Sequence, residues 1–220
     1  MSEYKILDLN LKDILPIGTA MKRFHVDEQA DHFEEAKEYL EEAYAVGKPL
    51  GVYKESYVES VQAEEVVIDG ITFHGPLICE KLEDVHRVFP YAATCGKELD
   101  ELASSQTDPL MSYYANDFNQ HAAGLMAGRI LSEVKKYTGI EKMVSINPGS
   151  LPDWPVTEQK GLFSLLGSAA GEIGMILTES CLMLPVKSVS GMLFASAEEW
   201  FNCMRCPRPD CPGRRAPFKG

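Results

Sequence analysis

Residues 108–149 read DPLMSYYANDFNQHAAGLMAGRILSEVKKYTGIEKMVSINPG, and the change of pattern inside this stretch decides the fold class. From Asp108 to Tyr137 it reads as one long helix. Small residues (Ala115, Ala122, Ala123, Gly124, Ala127 and Gly128) run along much of its length, which lets another backbone approach closely and marks it as a central helix. Lys142 to Ile146 then reads as a strand that runs into a turn at Asn147-Pro148-Gly149. Upstream, Asp27 to Val46 carries apolar residues at helical spacing and ends in Gly47 and Pro49. Val66 to Phe73 places Asp69-Gly70 between β-favouring residues, a strong hairpin signal. Leu77 to Val85 is expected to be a short helix. Val88 to Thr94 reads as a buried strand stopping at Cys95-Gly96, with a further helix before Asp108. Downstream, Thr157 starts a helix reaching Leu166, and Met175–Leu177, Cys181–Val186 and Ser188–Phe194 read as strands, with Pro185 at an edge or break. After Phe194 the regular pattern ends. Helices and strands mix without strict alternation, repeat or Gly/Ser-rich linker, which predicts one α+β domain with a mixed or antiparallel sheet. Its expected extent is residues 1–202, followed by a cysteine-rich tail over 203–220.

Composition agrees with a chain that buries its own core. The 220 residues are 45% hydrophobic and 25% charged, an ordinary globular balance. The net charge of −12 disfavours a general affinity for nucleic acid or anionic membrane. Charge is uneven: residues 1–110 hold 10 basic and 23 acidic side chains, whereas residues 111–220 hold 11 and 10. The acidic run Glu34, Glu35, Glu38, Glu41 and Glu42 is most simply a solvated helix face. No run approaches the roughly 18 apolar residues of a spanning helix, and Met1 to Asn10 lacks the features of a signal peptide. The expectation is a soluble, cytoplasmic protein. No glycine-rich phosphate loop or nucleophile elbow occurs, and the five histidines show no ligand spacing.

Three motifs then occur in one order: Asn147-Pro148-Gly149-Ser150-Leu151-Pro152-Asp153-Trp154-Pro155-Val156-Thr157-Glu158, Ile173-Gly174-Met175-Ile176-Leu177-Thr178-Glu179-Ser180, and Ser188-Val189-Ser190-Gly191. Together they resemble the reactivation (activation) domain of cobalamin-dependent methionine synthase, most closely its short stand-alone relatives. The resemblance is clear over about Lys142 to Phe201 and looser back through Ala93 to Leu99 and the long helix. It implies a C-shaped α+β domain that binds S-adenosylmethionine and packs onto a cobalamin-bearing domain. There, inactive cob(II)alamin is reduced by one electron and methylated from S-adenosylmethionine, a task of positioning and water exclusion. Residue by residue, the resemblance places ligand contacts at Asn147, Gly149, Ser150 and Phe201. Ser145 stands where the family has a carboxylate-holding arginine, and Ser150 and Phe201 stand where it has tyrosines. Trp154, on a proline-rigid loop, is read either as a cover for the flat macrocycle or as a half-buried core residue.

The tail carries a second signal. Cys203-x2-Cys206-x4-Cys211-Pro212 brings three soft ligands into nine residues, with Arg205, Arg208, Arg214 and Arg215 favouring thiolates. Without a signal peptide, these read as metal ligands rather than disulfides. The fourth ligand is expected from Cys95 or Cys181, with Cys79 also available, and spacing leaves zinc and an iron-sulfur cluster equally open. The alternative is a tail of idle thiols. Two functions follow. One is an accessory module, within a methionine synthase or corrinoid methyltransferase system, that docks on a corrinoid protein and supports its reductive reactivation or methylation. The other, favoured by Ser145 and Ser150, is a metal-stabilised binding protein that keeps the fold without the S-adenosylmethionine chemistry.

Overall fold

The computed structural model describes residues 4–211 and 213–219. In chain order the elements are β1 (Tyr4–Asp8), α1 (Leu11–Ile14), α2 (Ile17–Arg23), α3 (Phe33–Val46), β2 (Leu50–Lys54), β3 (Ser56–Val61), β4 (Glu65–Ile68), β5 (Ile71–His74), α4 (Pro76–Leu82), β6 (Arg87–Thr94), α5 (Lys97–Ser105) and α6 (Pro109–Thr138). They continue with β7 (Met143–Ile146), α7 (Gln159–Leu166), α8 (Ala169–Glu172), β8 (Ile176–Leu177), β9 (Met183–Leu184) and β10 (Ser188–Ala195), with short 3-10 turns at Val156–Glu158 and Asn202–Met204.

Strand β6 organises the molecule because both of its faces are covered. Val88 and Ala92 enter one core, while Phe89, Tyr91 and Ala93 enter another. This period of two, with apolar side chains at nearly every position, is what a strand between two helical layers requires. β10 lies antiparallel along one edge of β6, from Ser188 opposite Thr94 to Phe194 opposite Val88, and β7 pairs with its other edge. The opposite edge of β6 is shared: β2 pairs with residues 91–94 and β3 with residues 87–88. Pro90, which has no N–H to give a ladder, falls between those two pairings. Every pairing among the described strands is antiparallel, and the sheet has eight strands. The α+β class with an antiparallel sheet and a long helix is therefore as expected.

Helices α3, α5 and α6 cover one face of the sheet, and α4, α7 and α8 cover the other. The 30 residues of α6 start at a proline after Asp108, whose side chain accepts from the amides of Leu110 and Met111 at 2.8 and 2.9 Å. They end at Gly139 in the left-handed conformation, φ 69°. Close backbone approach does occur on α6, but the glycine that permits it lies on the sheet: a Cβ on Gly51 of β2 would sit 2.7 Å from Ile130 and 3.0 Å from Met126. Ala115, Ala122 and Ala123 are buried in the same core as Met126 and Ile130, whereas Gly124 and Gly128 face open space.

The hairpin at Asp69-Gly70 forms as read, with both residues at positive φ (43° and 76°), the backbone that a type I′ turn demands. The first amphipathic helix starts later than its pattern suggests. Asp27 accepts from the Gln29 amide at 2.9 Å, closing a turn, and helix begins only at Phe33. The expected strand at Cys181–Val186 is reduced to Met183–Leu184, ending at Pro185. No described helix is long and apolar enough to cross a membrane.

Candidate functional site

Where β10 and β7 run past α6, the sheet and the helix diverge and leave a cleft of about 940 Å³. Gly124, Ala127 and Gly128 of α6 form one wall, and Ser145, Asn147, Ser188 and Ser190 form the other. Residues 196–203 close one end. The absence of side chains at Gly124 and Gly128 thus makes room rather than contact.

The polar wall is a connected network. Asn147 donates its amide to the Tyr91 hydroxyl at 3.0 Å and to the Ser190 carbonyl at 2.7 Å. Its carbonyl accepts from the Asn202 amide at 3.1 Å, and Asn202 in turn accepts from the Trp200 indole at 3.2 Å. The Ser145 hydroxyl lies 3.1 Å from that of Tyr91. Asn147 reaches this position only because residue 191 is glycine: a Cβ there would lie 2.4 Å from its amide nitrogen. The Ser-Gly of the last motif is therefore a packing requirement of the site. Burial pushes the Tyr91 phenol up, opposed by its hydrogen bonds to Ser145 and Asn147 and by the charge of Arg215.

Two buried polar atoms at this cleft find no partner among the described residues, the Ser190 hydroxyl and the Gln159 side-chain carbonyl. Their residues are only 4% and 6% exposed. Both atoms are shut off from solvent, and Ser190 shares its sheet face with Ala92 and Met192, so they lie behind the cleft wall and not in it.

Of the residues expected to touch a ligand, Asn147, Ser150 and Phe201 line this cleft. Gly149 does not; with φ +80° and Val156 2.9 Å from where a Cβ would be, it shapes the turn beside it. Trp154 corrects the reading of an exposed cover. The loop closes on itself, the Gly149 amide donating to the Trp154 carbonyl at 2.8 Å, and folds the indole onto Phe73, fully buried, on the far side of the sheet. The ring centroids are 6.4 Å apart. Tyr91, Gln159, Ser190, Asn202 and Arg215 are cleft residues that the sequence reading did not assign.

The five expected metal ligands are not gathered. Cys203, Cys206, Cys211, Cys95 and Cys181 are free thiols, and among the described residues no group of three His, Cys, Asp or Glu side chains converges to hold an ion. Cys95 is fully buried at the end of β6, its thiol directed to the Gly96 carbonyl and pushed up by burial to about 12. Cys181 is buried in the β8–β9 turn. The donor set does not fit zinc or a cluster as arranged here. What organises the tail instead is Arg214, whose guanidinium donates to the carbonyls of Cys203, Cys206, Arg208 and Ala216. Trp200 and Arg205 tie the tail to the body: Lys81 Nζ lies 3.9 Å from the Trp200 ring centroid, and Arg205 pairs with Glu80 and Asp153. Cys203 differs from the other thiols. The Arg215 amide first, then the Ala216 amide and the charges of Arg214 and Arg215, hold it below the ordinary thiol range against an opposing effect of burial.

An antiparallel sheet with a long covering helix, and a cleft between them, defines an α+β domain with a candidate binding cleft. Residues 114–211 match the family model for vitamin B12 dependent methionine synthase, activation domain, so the resemblance carried by the three motifs is confirmed. The match runs from α6 through β10 and into the tail. Among solved structures, the chain shares its fold with one described as the crystal structure of the MetH reactivation domain bound to AdoHcy. The TM-score is 0.67 at 20% identity, covering 91% of this chain and 81% of that one. No curated protein matches the chain.

Proposed function

We propose that this chain is a cytoplasmic accessory module that binds S-adenosylmethionine in the α6–β10 cleft and docks on a corrinoid protein to support its reactivation. The observation that carries the reading is the connected polar wall of Tyr91, Ser145, Asn147 and Asn202 on a cleft large enough for a nucleoside ligand. The domain with the shared fold is described as bound to AdoHcy, the molecule left when S-adenosylmethionine has given up its methyl group. In such a reaction an external reductant supplies one electron to the partner's cobalt, the sulfonium S–CH₃ bond breaks as the cobalt–carbon bond forms, and S-adenosylhomocysteine leaves. This chain's residues bind and orient the donor. The Tyr91–Asn147–Asn202 network fixes the wall, and the bare helix face at Gly124 and Gly128 admits the ligand.

Ser145 carries the second reading, a binding protein with the fold but without the chemistry, because it offers a hydroxyl where the resemblance places an arginine. Calorimetry separates the two. Saturable binding of S-adenosylmethionine, competed by S-adenosylhomocysteine, is the expected result; an absence of binding overturns the proposal and favours the second reading.

A further inference from the structure

The cleft contains an unassigned cation. Arg214 and Arg215 are adjacent, yet their guanidinium groups do opposite things. Arg214 is spent inside the tail on four backbone carbonyls. Arg215 is turned the other way and lines the cleft, its backbone fixed by an amide–thiol contact to Cys203 at 3.5 Å. Its charge reaches the buried Tyr91 hydroxyl at the centre of the polar wall. It also lacks a carboxylate. Arg23, Arg87, Arg129 and Arg205 each pair with an acid, and Arg215 pairs with none among the described residues.

We propose that Arg215, delivered by the cysteine-bearing tail, is the residue that holds the carboxylate of an amino-acid ligand in this cleft. The planar guanidinium fork suits a carboxylate bidentately, and the hydroxyl of Ser145 stands on the same wall to share its lone pairs. The other charges of the cleft select the rest of the ligand. Glu141, Glu198 and Glu199 line it against Lys142, an excess of acid that disfavours a polyphosphate and favours a molecule that carries a cationic amine or sulfonium beside its carboxylate. The tail would then be part of the binding site rather than an appendage, and Arg214 would act as a positioning residue that sets where Arg215 lies.

This inference rests on the proposed function and deepens it. The test uses the full chain, wild type and Arg215→Gln, titrated with S-adenosylhomocysteine and with 5′-methylthioadenosine, a related nucleoside thioether that lacks the amino-acid carboxylate. The substitution is expected to weaken S-adenosylhomocysteine about 10- to 100-fold, as loss of a charged hydrogen-bonding partner does, and to leave 5′-methylthioadenosine unchanged. Equal affinity of both chains for S-adenosylhomocysteine overturns the inference and leaves the proposed function standing. An equal loss for both ligands also overturns it, because Arg215 would then act on the cleft as a whole. A wild-type chain that binds no S-adenosylhomocysteine overturns the proposed function and this inference with it.

Discussion

Replacing Gly191 by alanine puts one methyl group where β10, β7 and Asn147 meet. The added Cβ would lie 2.4 Å from the Asn147 amide nitrogen, 2.6 Å from the Ile146 carbonyl oxygen and 3.0 Å from the Tyr91 ring. Two effects oppose one another. Alanine in a strand interior is ordinarily favoured over glycine by about 0.5–1 kcal/mol through the unfolded state. Overpacking costs about 1–3 kcal/mol, and the Ile146 oxygen cannot move without displacing a paired strand. Asn147, once pushed aside, also loses its bonds to Tyr91 and Ser190, at about 1 kcal/mol each. Packing wins, leaving a net loss of about 2–4.5 kcal/mol, or a melting temperature lowered by roughly 4–18 °C in a chain of this size. Calorimetric or circular-dichroism melts measure this directly. Gly128→Ala is the control: its methyl enters open space on a helix, so its melting temperature should equal or exceed the wild type's. A Gly191→Ala protein that melts within about 1 °C of wild type would refute the reasoning, since Asn147 could not then be held where the network requires it.

Two further outcomes follow from the tail. Because the Cys203 thiol is held low while burial raises Cys79 and pushes Cys95 up to about 12, Cys203 keeps its thiolate to lower pH and should be alkylated before either of them near neutrality. Mass spectrometry of time points checks this, and alkylation of Cys95 or Cys79 at a matching rate would contradict it. Trp200→Ala removes the ring beside which Lys81 and Arg205 lie, and its bond to Asn202, at a cost of about 1–3 kcal/mol. Amide exchange over residues 202–206 should speed up; unchanged protection there would mean that the tail is anchored elsewhere.

Features fixed by neighbours in the chain were legible from the sequence. Asp69-Gly70 dictates its own turn, and α6 is bounded by Asp108, Pro109 and Gly139. The buried β6 betrays itself through apolar side chains on both faces. β1 and β2 show no such punctuation, and their place in the sheet comes from pairing with residues up to 50 positions away. The site was half legible for the same reason. Asn147 and Ser150 sit on the first motif and Phe201 in the stretch that the resemblance covers, whereas Tyr91, Asn202 and Arg215 converge only through the register of β6, β7 and β10 and the path of the tail. Cysteine spacing showed that three thiols are near in sequence, but not that Arg214 would draw the intervening carbonyls to itself. Trp154 was open to two readings, because a proline-rich loop with an aromatic residue can cover a ligand or fold into the core, and the Gly149–Trp154 bond that folds it inward is not visible in the sequence.

The central claim is that this chain serves a corrinoid partner through a bound methyl donor. A cobalamin-bearing methyltransferase in its cob(II)alamin form, supplied with a one-electron reductant and S-adenosylmethionine, reports on this through the cobalt absorption bands. The account predicts that adding the chain speeds conversion to the methylated form, that the effect requires S-adenosylmethionine, and that the two proteins form a complex. Identical spectra over time with and without the chain, and no complex between them, would contradict it.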